Sequence, residues 1–383
     1  MLTRRDFSLA VSASAVFVAG CASAADPRRP LEPQARSVLQ EAMADTAVPG
    51  MAAIVIRNFE VETECFAGVR ALGSPVMIAP NDRWHLGSDG KAMTATLIAK
   101  LVDAGVLSWD RPLSQMLPDL AGAMQPAYRD ATLPDLLSHR AGLPQNTADM
   151  AFFGTFYTDT APLPDQRLRY IAQCLQEAPA GAPRGENSYS NTGFIIAAVC
   201  AERATGRAFE DLIVREVFEP LGIRSISFDQ FGAPNEPQGH VDGRIADQPT
   251  DANPRMFAPA GAMRMTMRDW ARFCIDQMQG ERGRGRLLRA ETYRFVHAPQ
   301  GDTRSALGWG AAPHPMGLRG PALTHSGSDG NWYALVCLFP ETGNGALVVA
   351  NAAESMGGDQ ASVAALRAFA ATVAEPYEEG ANG

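Results

Sequence analysis

The sequence predicts a mixed α/β chain of the α+β type: an antiparallel sheet flanked by N- and C-terminal helices, with a mainly helical lobe inserted between its two halves. Three observations predict it. Strand-like apolar runs lie near both ends of the 383 residues, the long middle reads as helix and loop broken by Pro and Gly, and an amphipathic segment closes the chain. With 46% hydrophobic and 20% charged residues, the chain can bury a large core in one or two domains.

Residues 1–20 read as an export signal. Thr3-Arg4-Arg5-Asp6-Phe7 ahead of the apolar run 9–18 has the twin-arginine pattern, and the run is too short for a permanent membrane span. Val18-Ala19-Gly20-Cys21 resembles a bacterial lipoprotein cleavage box, which makes Cys21 the lipidation site. Plain cleavage after Ala22-Ser23-Ala24 is the alternative. Residues 21–31, with Asp26-Pro27-Arg28-Arg29-Pro30, form a tether. The expected location is periplasmic and lipid-anchored, with membrane contact only through Cys21.

A helix near 32–44 precedes a buried strand at 51–57 and its hairpin partner at 61–68. Residues 32–106 and 300–383 are assigned to a sheet-and-helix lobe and 107–299 to the inserted helical lobe, together one catalytic domain. Residues 133–139 and 191–204 are the clearest helices of the insert. Toward the C-terminus, 306–310, 322–326, 332–339 and 346–350 read as four strands, with a turn at 341–345. Residues 360–374 form the closing helix, with Val363, Leu366 and Val373 inward.

The net charge of −9 argues against a nucleic-acid partner. Six histidines stand singly, without H-E-x-x-H or C-x-x-C spacing, so neither metal nor other cofactor is expected. There is no P-loop or dinucleotide glycine fingerprint, no internal repeat, and no G-x-S-x-G of an α/β-hydrolase. Cys65, Cys174, Cys200, Cys274 and Cys337 sit in apolar sequence and read as buried thiols, with room for one disulfide. The run Arg282-Gly283-Arg284-Gly285-Arg286 reads as an exposed loop.

Only two of the 33 basic residues are lysines, and one of them, Lys91, follows Ser88 by three positions. Arginine cannot shed its proton near neutral pH, whereas a desolvated lysine can. Met93, Leu97, Leu101 and Ala104 make one helical stripe after Ser88, with Gly105 at the C-terminal stop. Ser88 therefore opens a buried helix with Lys91 one turn on, where free N–H groups favour an alkoxide and an oxyanion. The plainer alternative is an N-cap serine followed by a stray lysine. Lys100, at the far end, reads as a solvated cation.

A serine nucleophile needs a second proton carrier and an oxyanion donor. Tyr189-Ser190-Asn191 is the chain's only Tyr-x-Asn and precedes an apolar helix. A lysine ammonium beside Tyr189 would favour its ionised form; the alternative is a turn tyrosine capping that helix. Thr324-His325-Ser326-Gly327-Ser328-Asp329-Gly330 enters a strand. Gly327 would let substrate approach the sheet edge, and the Ser328 and Ser88 amides would form the oxyanion hole. A Gly-rich turn is the plainer alternative.

In order and spacing the three elements resemble the serine β-lactamase and penicillin-binding superfamily, closest to its class C β-lactamase, D,D-peptidase and esterase branch. Secondary marks are Val48-Pro49-Gly50, the Leu136-to-Leu143 segment with His139, Pro259-Ala260-Gly261 and Leu307-Gly308-Trp309-Gly310. The resemblance covers nearly the whole chain after the signal and implies a β-lactamase/transpeptidase-like fold. It implies Ser88 as acylated nucleophile, Lys91 as its activating partner and Tyr189 as proton shuttle and activator of the deacylating water. Asn191, His325 and Gly327 would bind substrate.

Two positions depart from that pattern. His325 stands where β-lactamases of this branch carry lysine; a histidine is mostly neutral at pH 7–8, which favours a peptidase or esterase and predicts titration of anion binding across pH 6–8. Gly90 softens the first helical turn, and no function explains it. The expectation is a serine hydrolase acting on a small-molecule or peptide substrate, an ester or an amide of the D-amino-acid type. Alternatives are a β-lactamase or D,D-carboxypeptidase, an acyltransferase, and a penicillin-binding sensor that acylates and stalls.

Overall fold

Six strands form one antiparallel sheet in the order β2-β1-β10-β9-β8-β7. They are β1 (Gly50–Arg57), β2 (Glu60–Gly68), β7 (Gly310–Ala312), β8 (Ala322–Ser328), β9 (Tyr333–Phe339) and β10 (Asn344–Ala350). The computed structural model describes residues 32–378, so the predicted signal, Cys21 and the tether lie outside the described residues. Strand β1 hairpins onto β2 and pairs on its other edge with β10, Met51 opposite Ala350, which joins the two ends of the chain in one sheet. Two small pairs lie outside this sheet: β3 (Arg83–His85) with β6 (Arg264–Thr266), and β4 (His240–Val241) with β5 (Arg244–Ile245).

The central strands are apolar without a polar face because both faces are covered. Alternate residues feed two separate cores. Ala52, Ile54 and Ile56 pack on the side of helix α2 (Gly90–Asp103) and α3 (Asn191–Thr205), while Met51, Ala53 and Val55 pack against α1 (Glu32–Met43) and α4 (Gly358–Ala370). Helix α2 is buried along almost all of its length and ends at Gly105 (φ +72°), as its sequence predicts. Lys100 is not simply solvated: its Nζ donates to the Leu287 carbonyl at 3.1 Å.

Two expectations need correction. Residues 306–309 are loop, and β7 begins only at Gly310. The Leu307 and Gly308 N–H groups donate to Val296 and Leu137 carbonyls, and a Cβ on Gly308 would lie 2.6 Å from the Lys91 carbonyl, so this stretch packs on the start of α2 instead of joining the sheet. In α4, Val363 faces outward at 39% exposure. The inner face is Ala361, Ala365, Leu366, Phe369 and Ala370, where the three alanines let the helix lie close on the strands and Leu366 and Phe369 fill the core. The five cysteines in the described residues are buried free thiols, as their apolar surroundings predict, and the one disulfide allowed for is not formed among them.

Candidate active site

Ser88 lies in a 3₁₀ turn, Gly87–Asp89, that runs straight into α2. It caps nothing: no side chain caps this turn, and the Ser88 hydroxyl is engaged with Lys91 and Tyr189. Gly87 (φ +50°) has no room for a side chain, since a Cβ would sit 2.3 Å from the Ser328 nitrogen. A Cβ on Gly327 would lie 2.0 Å from the Leu86 carbonyl and 2.8 Å from the Ser88 nitrogen. The two glycines let the turn and the C-terminal end of strand β8 touch backbone to backbone, which brings the Ser88 and Ser328 amides close together. Gly327 is thus needed for that contact: its bare Cα is turned to the Ser88 loop, not toward an incoming substrate.

Lys91 is fully buried one turn on. Its Nζ lies 3.0 Å from Ser88 Oγ, 2.7 Å from Asn191 Oδ1 and 2.5 Å from the Ala260 carbonyl. Asn191 Nδ2 donates to Asn146 Oδ1 at 2.9 Å, which fixes the amide's orientation. Burial pulls the Lys91 ammonium down from 10.5 to about 7, against the opposing pull of Asp89. A neutral amine keeps two N–H groups and one lone pair. Asn191 Oδ1 and the Ala260 carbonyl can only accept, so they hold both N–H groups and leave the lone pair to the Ser88 hydroxyl.

Tyr189 enters on the extended segment before α3. Ser190 caps that helix, its Oγ accepting the Gly193 N–H at 3.2 Å, which leaves the Tyr189 hydroxyl to donate to Ser88 Oγ at 2.8 Å. The Tyr189 ring stacks on His139 at 4.4 Å and 28°, and His139 Nδ1 accepts the Ser190 N–H at 3.0 Å. Tyr189 keeps 38% of its surface exposed, yet loss of water around the phenol pushes it up to about 12, helped by Asp89 and opposed by the Ser88 bond. The expected phenolate is therefore not favoured in the resting site. His139 is held neutral, its burial and then Lys91 pushing it down to about 3.

His325 on β8 is also neutral. Its side chain is 10% exposed, with Nδ1 3.0 Å from the Ser326 carbonyl and 3.6 Å from Asp89 Oδ1. Burial, then the charge of Lys91, pushes it down to about 3, so the titration expected across pH 6–8 does not occur. Asp89 is buried with neither carboxyl oxygen hydrogen-bonded, and burial raises it well above the usual carboxylate range against the pull of Lys91. A cavity of about 730 Å³ opens beside Tyr189, bounded by His139, His325, Ser326, Trp309 and Arg304, and no carboxylate lines it.

Ser88, Lys91, Tyr189 and Asn191 thus converge, with His325 and the Ser88 and Ser328 amides adjoining. Sequence reasoning missed Asn146, the stacking role of His139, the Ala260 carbonyl and buried Asp89. His139 and Ala260 stood inside segments already noted for their resemblance, which was the only signal; a backbone carbonyl carries none of its own.

The fold and this Ser-x-x-Lys, Tyr-x-Asn, His-x-Gly arrangement are those of the serine β-lactamase fold, a class of serine hydrolases. The family model described as Beta-lactamase matches residues 35–371, and the chain belongs to that family. It is similar to penicillin-binding protein 4 of Amycolatopsis lactamdurans, at 28% identity over 79% of this chain and 81% of that one. It is also similar to the D-alanyl-D-alanine-carboxypeptidase/endopeptidase AmpH of Escherichia coli strain K12, at 23% identity over 88% and 89%. The solved D-stereospecific amidohydrolase from Streptomyces sp. shares the fold with a TM-score of 0.68, at 23% identity over 88% of this chain and 98% of that one.

Proposed function

We propose that this protein is a serine hydrolase that forms an acyl-enzyme at Ser88 and cleaves a small ester or an amide of the D-amino-acid type. One observation carries the reading: a buried lysine whose Nζ lies 3.0 Å from Ser88 Oγ and is also held by two groups that can only accept, Asn191 Oδ1 and the Ala260 carbonyl. In acylation the Ser88 proton passes to Lys91 while Oγ attacks the carbonyl carbon. The charge on the carbonyl oxygen falls to the Ser88 and Ser328 amides. The leaving group departs with the proton of Tyr189, whose hydroxyl adjoins the same Oγ. The resulting phenolate then takes a proton from water, hydroxide attacks the acyl carbon, and Lys91 returns its proton to Ser88. Asn191, held by Asn146, would position substrate, with His325 as a neutral partner.

The test is turnover of p-nitrophenyl acetate and D-alanine p-nitroanilide by residues 26–383, with Ser88→Ala as control. Ser88-dependent cleavage of the ester alone makes it an esterase, and added alcohol diverting the product makes it an acyltransferase. Cleavage of the anilide makes it a D-amino-acid peptidase. Activity surviving in Ser88→Ala refutes the reading. A D,D-carboxypeptidase is the second reading, favoured by the exposed arginine Arg304 on a cleft wall without carboxylates, and release of D-alanine from an acyl-D-alanyl-D-alanine peptide tests it. Export and anchoring through Cys21 complete the proposal; incorporation of labelled palmitate that disappears in Cys21→Ala tests them.

A further inference from the structure

The oxyanion hole proposed above is built from two amides on different elements, and something must fix the distance between them. His85 closes β3, three residues before Ser88, and is 1% exposed. Its Nδ1 accepts the Gly87 N–H at 3.1 Å, so the ring proton is on Nε2. That nitrogen faces Asp329 Oδ2 at 3.3 Å without the alignment of a hydrogen bond, on a side chain with no exposed surface. The other oxygen of Asp329 accepts the Asn331 N–H at 3.2 Å in the turn from β8 to β9. One imidazole therefore accepts a hydrogen bond from the residue before Ser88 and lies against the carboxylate of the residue after Ser328.

Around this link the two backbones are already in contact at Gly87 and Gly327, and both neighbouring elements are pinned. Trp84, beside His85, meets Trp332 edge-on at 5.8 Å, and Arg264 on β6 lies over the same Trp332 ring at 5.3 Å. A buried carboxylate facing one imidazole is an expensive arrangement for stability alone. Packing already holds these strands together, so this buried imidazole–carboxylate contact is available to set the direction and spacing of the Ser88 and Ser328 amides.

We propose that His85 and Asp329 are positioning residues that hold the Ser88 and Ser328 N–H groups at oxyanion-hole spacing. The inference rests on the acyl-enzyme reading given above. Because the oxyanion exists only in the tetrahedral state, the link acts on kcat and not on substrate binding. Asp329→Asn is nearly isosteric, and His85→Gln keeps a donor toward Asp329 while giving up the acceptor for Gly87.

The experiment measures kcat, KM, the acid limb of kcat/KM and the affinity of an aryl boronic acid, which forms a tetrahedral adduct with the serine, in wild type, both variants and the double variant. Expected is a fall in kcat of roughly 10- to 100-fold with KM within about twofold. Boronate affinity should fall in parallel, the acid limb should not move, and the double variant should lose no more than the worse single one, as parts of one device do. Unchanged kcat and boronate affinity in both variants overturns the proposal. So does a loss that comes with a shifted acid limb or a raised KM, which would mark general disturbance of the Ser88 turn. Wild type without Ser88-dependent turnover would instead refute the acyl-enzyme reading itself.

Discussion

If Lys91 takes the Ser88 proton, the pH profile of kcat/KM must carry its titration. The lysine works as a neutral amine, so activity is present above its pKa and lost below it. Burial moves that pKa from 10.5 to about 7, which raises the neutral fraction at pH 7 about a thousandfold. Initial rates on p-nitrophenyl acetate from pH 5 to 10 should rise tenfold per pH unit, bend near 7 and stay level beyond, leaving about 1% of the plateau at pH 5. Tyr189, pushed up to about 12, sets no limb in that range. His139 and His325 titrate near 3 and cannot imitate the bend. Exposed His314 on the cleft wall is controlled by His314→Asn, which should leave the profile unchanged. Lys91→Arg, which keeps its charge throughout, should lose about 10²–10⁴ in kcat. The same burial has a stability signature: between pH 7 and 10.5 the unfolded chain binds a proton that the folded chain does not, so stability rises with pH across that window. Relative to Lys91→Met the rise is at most about 5 kcal/mol, read by urea unfolding at fixed pH. A bend near 10, or a flat profile from 5 to 9, would refute lysine as the base.

Further outcomes follow from particular contacts. Gly327→Ala should abolish turnover, because the added Cβ meets the Leu86 carbonyl at 2.0 Å, whereas Gly90→Ala meets only Met263 at 3.5 Å and should keep full activity; denaturant unfolding should show Gly90→Ala stabilised by up to about 1 kcal/mol. In α4, Phe369→Ala should cost about 3–5 kcal/mol and outward Val363→Ala less than about 0.5, in the same urea assay. The KM of an anionic ester such as p-nitrophenyl succinate should stay within about twofold from pH 6 to 8, since His325 is neutral throughout. Arg304→Ala should raise that KM several-fold and leave the KM of p-nitrophenyl acetate unchanged, as loss of an exposed cation on the cleft wall requires.

What the sequence revealed and what it concealed divide along one physical line. Strands β1, β9 and β10 were legible because burial on both faces leaves an uninterrupted apolar run. Residues 306–309 carry the same apolar signal for another reason, packing as a loop on α2, and periodicity cannot tell the two apart. Val363 misled because valine outweighs alanine in any apolar stripe, while the close approach of α4 is made by Ala361 and Ala365. At the site, Ser88, Lys91, Tyr189 and Asn191 could each be picked out by spacing. Their protonation could not, because it is set by the water that other segments remove. Burial lowers Lys91, raises Tyr189 and lowers His325 together, each away from its charged form. The dryness that makes Lys91 a base at neutral pH is therefore what disarms His325 as a cation. A lasting positive charge for an anionic substrate has to stand in the wetter part of the cleft, where Arg304 already is.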